Sequence, residues 1–172
     1  SAGSVTLTLN TTGNTGCPPA SDQMVLTLVN SFANTSISST NVNCNGGATG
    51  TAAVSPTNPS FSYSWNTTPV QNTASATGLI AGTYTVNISD GSGCSTTLNT
   101  TITQPTAVTV GSLTATNETC AGLGNGSVTA SGSGGTSPYT YSWSNGGSGP
   151  TLSVGAGSYT VTIVDANGCA PA

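Results

Sequence analysis

One feature constrains this chain more than any other: it repeats itself. Asn43-Cys44-Asn45-Gly46-Gly47 returns as Thr119-Cys120-Ala121-Gly122, and Phe61-Ser62-Tyr63-Ser64-Trp65 returns as Tyr139-Thr140-Tyr141-Ser142-Trp143. The run from Ala81 to Cys94 (Ala-Gly-Thr-Tyr-Thr-Val-Asn-Ile-Ser-Asp-Gly-Ser-Gly-Cys) returns from Ala156 to Cys169. The three offsets fall between 75 and 78 residues, so one unit is present at least twice. Gly16-Cys17, preceded by Val5-Thr6-Leu7-Thr8-Leu9, reads as the tail of an earlier copy, with Cys17 in the place of Cys94 and Cys169. The organisation expected is a partial repeat end and linking or donor strand segment at 1–40, a complete repeat at 41–107, and a second repeat at 108–172 without its last strand.

Within each copy the side chains alternate. Tyr84, Val86 and Ile88 fall on one face and Thr85, Asn87 and Ser89 on the other; Tyr159, Val161 and Ile163 repeat the pattern. A period of two marks a half-buried strand, and no stretch carries a helical stripe. Gly, Asn, Asp and Ser clusters separate the runs and supply the turns. Short strands at this spacing, with a Trp on a middle strand and a Tyr opening a late one, predict an all-β chain of tandem immunoglobulin-like β-sandwich repeats.

Composition then removes whole classes of function. The chain has no Lys, Arg or His, and its only acids are Asp22, Asp90, Glu118 and Asp165. Without basic residues there is no electrostatic footprint for nucleic acid. Serine–histidine and cysteine–histidine catalysis lack their base, and histidine metal sites lack their ligand. The chain reads as a non-enzyme without cofactor or resident metal. No run approaches the ~20 apolar residues of a membrane span. With charged residues at 2% against about 25% in ordinary domains, the surface needs another source of solubility, and sugar is the natural one. Seven Asn-x-Ser/Thr sequons stand at Asn10, Asn34, Asn66, Asn87, Asn99, Asn117 and Asn125 as candidate glycosylation sites.

The combined pattern resembles the SprB-type repeat of giant surface adhesins of gliding Bacteroidetes: Cys-x-Gly-Gly, Tyr-x-Tyr-Ser-Trp, then Ala-Gly-x-Tyr-Thr-Val-x-Ile-x-Asp-x-x-Gly-Cys. The resemblance covers about 41–172 well and 1–40 in part. It implies an extracellular, cell-surface location, export by the type IX pathway, and long multi-repeat fibres; it brings no catalytic residues.

Cysteines recur at fixed positions in each repeat and read as disulfides in an extracellular protein. Separations of 50 residues (Cys44 to Cys94) and 49 residues (Cys120 to Cys169) favour pairing within each repeat, leaving Cys17 alone. Pairing of Cys17 with Cys44 and Cys94 with Cys120 stands as the alternative, and free or metal-bound thiols as the third reading, with no CxxC spacing to favour metal. The within-repeat pairing carries a topological difficulty, because an immunoglobulin-like sandwich places its two cysteines at opposite ends unless the first strand folds back. Asp90-Gly-Ser-Gly and Asp165-Ala-Asn-Gly read as Asx turns in hairpins before calcium loops, since calcium takes six to eight oxygens and usually several carboxylates. The aromatic triplets read as core before sugar platform, the Thr alternation as ordinary strand rather than an ice-binding array, and Gly132-Ser133-Gly134-Gly135 as a turn rather than a phosphate cradle.

The functional expectation is an extracellular structural or adhesive repeat protein, part of a cell-surface fibre or filament in which copies of itself are the partners. Head-to-tail strand complementation by the segment around Val5–Leu9 and Met24–Val29 is the expected mode of assembly. A glycan-binding β-sandwich module of a secreted protein, with surface glycans as partners, is the alternative.

Overall fold

The computed structural model describes residues 3–10, 21–28 and 31–171, and among these every regular element is a strand. At the N-terminus β1 (Gly3–Asn10) and β2 (Ser21–Leu28) form an antiparallel hairpin whose register pairs Leu7 with Met24 and Val5 with Leu26. Cross-strand partners lie on the same face. These four side chains therefore make one apolar face, and Val5, Leu7, Met24 and Leu26 are all more than half exposed.

The first sandwich is built from β3 (Ser36–Thr40), β4 (Gly50–Ser55), β5 (Ser62–Trp65), β6 (Ser75–Leu79), β7 (Gly82–Ser89) and β8 (Ser95–Ile102). One sheet has the order β3-β4-β6 and the other β5-β7-β8, all antiparallel. The alternating positions do what their period predicts. Val86 and Ile88 are completely buried, while Asn87 between them faces solvent. Trp65 and Tyr63 enter the same core from β5, and Ala52 and Val54 enter it from β4. The indole N–H of Trp65 donates to the Thr73 carbonyl at 2.8 Å, so the buried ring leaves no orphaned donor. β3 lies ahead of the repeat boundary read at residue 41, and its pairing with β4 places it in the first sandwich.

The second sandwich repeats the plan with β9 (Thr109–Thr116), β10 (Gly126–Ser133), β11 (Thr140–Trp143), β12 (Thr151–Val154) and β13 (Val161–Val164). Its sheets are β12-β10-β9 and β11-β13, the same arrangement with one strand fewer among the described residues. β7 has a neighbour on each side and runs for 8 residues, whereas among the described residues β13 pairs only with β11 and runs for 4. Residues 82–85 pair with β8, while their counterparts 157–160 lie outside the described strands. The core thins in step: Ala130, Trp143 and Ile163 are its buried members, and Leu113 on β9 is left 59% exposed. No helix of the described residues is long and apolar enough to cross a membrane.

Candidate functional site

Each sandwich has two ends. The turn end carries the loop between its first two strands, with Cys44 or Cys120; the hairpin end follows β7 or β13, with Cys94 or Cys169. At its turn end the first sandwich is closed by β8: Val42 donates to the Thr103 carbonyl at 3.0 Å, and Thr103 donates to Asn41 Oδ1 at 2.9 Å. The chain then passes through Gln104–Val108 directly to the hairpin end of the second sandwich.

The hairpin is shaped by one carboxylate. Asp165 Oδ1 accepts from the backbone N–H of Asn167 at 2.9 Å and of Cys169 at 2.8 Å, and Oδ2 accepts from Thr136 at 2.8 Å. The residue is buried, at 4% exposure. Burial pushes the carboxyl pKa up, but the three backbone donors outweigh it and hold the pKa below the ordinary value of 3.8. Close approach here demands glycine: Gly135 sits at φ +58°, and a Cβ on it would come within 2.6 Å of Asp165 Oδ2. Asp90 does the same work in the first sandwich. Its Oδ1 accepts from Ser92 N at 2.9 Å, Ser92 Oγ at 2.6 Å and Cys94 N at 3.2 Å. Hydrogen bonds from the Ser92 side chain and backbone lead in lowering its pKa, and Ser31 adds another. Both aspartates are thus engaged as hairpin organisers.

The turn end of the first sandwich meets this hairpin and is bonded to it. Cys44 and Cys169 form a disulfide with their Cα atoms 5.7 Å apart, across a sequence separation of 125 residues. Asn167 Nδ2 donates to the Asn43 carbonyl at 3.2 Å, Asn45 Nδ2 to Pro105 O at 3.0 Å, and Gly46 N to Gln104 Oε1 at 2.8 Å. A cleft of about 240 Å³ between Cys44, Pro105, Val108, Gly135 and Asp165 marks the seam.

This corrects the expected pairing. Cys44 does not join Cys94, nor Cys120 Cys169; Cys94 and Cys120 are free and exposed. Geometry explains it. β8 runs from Cys94 at the hairpin end to Ile102 at the turn end, beside Val42 and Cys44. Eight residues at about 3.3 Å each span about 26 Å, several times what a disulfide tolerates between Cα atoms. The opposite-ends difficulty is real, and the bond is made between repeats. The alternative pairing of Cys94 with Cys120 is likewise absent within the chain, and Cys17 lies outside the described residues.

A second cleft, of about 310 Å³, opens at the turn end of the second sandwich, among Glu118, Gly126, Val128, Val154 and Tyr159. In the first sandwich the matching position is filled by Ile102: a Cβ on Gly50, the counterpart of Gly126, would lie 2.8 Å from Ile102 Cγ2. The cleft is the place that the end of a β8-like strand occupies.

Of the aromatic triplets, Tyr63, Trp65 and Trp143 are buried in the cores, and Phe61, Tyr139 and Tyr141 pack half-buried against them. All seven sequon asparagines (Asn10, Asn34, Asn66, Asn87, Asn99, Asn117, Asn125) are solvent-exposed. Asn66 and Asn125 already use their side chains to hold Thr85 and Thr119.

Comparison with protein families adds one match. The model of the SprB repeat family matches residues 112–148, from within β9 to the turn after β11. The chain therefore carries a SprB-type repeat, and by internal symmetry the first sandwich is built on the same plan. No curated protein matches the chain.

Proposed function

We propose that the protein is an extracellular structural or adhesive repeat protein forming part of a cell-surface fibre, and that copies join head to tail by strand complementation. The observation that carries this is a pair of complementary deficits. Among the described residues β13 pairs with β11 alone, and a cleft lies where the end of a β8-like strand would sit. The β1–β2 hairpin is a spare edition of the β7–β8 hairpin: Gly3 pairs with Leu28 as Gly82 pairs with Ile102, and its apolar face is uncovered. An exposed strand edge is a template for another strand, and an exposed apolar face gains about 25 cal/mol per Å² covered. Adding the N-terminal hairpin of a second copy to β13 meets both needs. The operation is head-to-tail and does not close, so it propagates as a filament. The SprB repeat supports the surface setting, since the family belongs to surface adhesins and not to enzymes.

Electron microscopy of the purified chain tests this in a Cys94→Ser, Cys120→Ser background, which keeps the Cys44–Cys169 bond. Filaments are expected from the full chain, and monomers from the same chain without residues 1–30. Filaments from the shortened chain would show that strand donation by the N-terminus is wrong.

A further inference from the structure

We propose that Cys120 and Cys94 are the two halves of an inter-repeat disulfide, closing between the second sandwich of one copy and the first sandwich of the next. The model for it is in the chain itself. Cys44, on a turn end, is bonded to Cys169, on the hairpin end of the repeat that follows. Cys120 is the counterpart of Cys44 and Cys94 that of Cys169, and both are exposed thiols.

Each half is already in the conformation of its bonded sister. Cys94 N donates to Asp90 Oδ1 at 3.2 Å and Asp90 N to Cys94 O at 3.2 Å; the matching distances in the bonded hairpin are 2.8 and 2.9 Å. On the turn side, Leu123 N donates to Cys120 O at 3.3 Å, as Gly47 N does to Cys44 O at 3.0 Å. Glu118 Oε2 and Asn125 Oδ1 hold the Cys120 loop through Gly122 N at 2.9 Å and Thr119 N at 3.1 Å. The two thiols are thus a hairpin-end half and a turn-end half, and the rule that joins Cys44 to Cys169 (turn-end cysteine of one repeat to hairpin-end cysteine of the next) pairs them between copies.

The chemistry is thiol–disulfide exchange. Two protein thiols lose two protons and two electrons to a disulfide donor, which leaves as two thiols while one S–S bond forms. Oxidised glutathione supplies this in vitro, and a protein disulfide carrier would do so outside the cell. The inference rests on the fibre reading only in that the partner is another such repeat; it does not need strand donation.

The test uses full-length chains with Cys17→Ser, one carrying Cys94→Ser and a mass-tagged second carrying Cys120→Ser. They are mixed in equal amounts with oxidised and reduced glutathione, and the products are resolved without reduction. Random pairing of the two lone thiols gives a heterodimer only about twice as abundant as either homodimer. Docking predicts a heterodimer in at least about tenfold excess, mapped by peptide mass spectrometry to Cys94–Cys120. A statistical mixture, a surplus of homodimers, or thiols left free would overturn it. Filaments of the unsubstituted chain in which Cys94 and Cys120 stay free under the glutathione couple would defeat this inference alone; the Cys94–Cys120 bond, with no filaments from the Cys94→Ser, Cys120→Ser chain, would defeat strand donation alone.

Discussion

Asp165 shows how much one side chain organises in a protein nearly stripped of charge. Its carboxylate ties the hairpin to Thr136, fixes the amide of Cys169, and so aims the sulfur at Cys44. Because its pKa is lowered in the folded state, it contributes stability that is present above the ordinary value of 3.8 and is lost as pH falls through the lower folded value. Asp90, whose pKa is also lowered, adds a contribution of the same sign in the first sandwich. Urea titrations between neutral pH and about pH 2 are expected to show the second sandwich weakening below about pH 3.8. Asp165→Asn is expected to be less stable at neutral pH and to lose the Asp165 share of the acid dependence; an unchanged acid limb in the variant would contradict this role. Asp-x-x-Gly-Cys was readable as an Asx turn from residue chemistry alone. That the same turn presents a cysteine to a neighbouring repeat was not readable, because neither local spacing nor turn propensity says what lies beyond a sandwich's end.

At the scale of elements, β8 separates the two sandwiches. It buries Ile102 to 1% exposure, flanks β7 along its full length, and ties its end to the β3–β4 turn through Thr103. Ile102→Ala is expected to destabilise the first sandwich by about 2–5 kcal/mol in chemical denaturation and to leave the second unchanged, since it opens in one the cleft that the other already has. A loss of less than about 1 kcal/mol would mean that β8 does not close the core. Strands with strict alternation, such as Tyr84-Thr85-Val86-Asn87-Ile88, were legible in the sequence because the period of two is imposed by burial on one face. β3 was not: Ser36-Ile37-Ser38-Ser39-Thr40 has one apolar residue, and it becomes a strand by pairing with β4. The aromatic positions were legible as core for the same reason as the alternation, each triplet placing large rings on a single face.

For the whole molecule, the bond between repeats changes what the cysteines accomplish. Within-repeat bonds would reinforce each small sandwich separately and leave the linker to bend. The bond observed fixes the turn end of one sandwich against the hairpin end of the next, alongside the Asn167–Asn43, Asn45–Pro105 and Gly46–Gln104 hydrogen bonds. Cross-linking over 125 residues constrains the unfolded chain by up to about 5 kcal/mol in the loop-entropy model. In the fibre proposed above, stiff junctions of this kind would transmit force along the array. Sequence separation pointed to the shorter loops because it counts residues along the chain; the end-to-end stacking of two folded units sets the pairing instead. Disulfide mapping of the oxidised native chain reads this directly, with a protease that does not need Lys or Arg. A Cys44–Cys169 peptide pair is expected. Recovery of Cys44–Cys94 together with Cys120–Cys169 would contradict it.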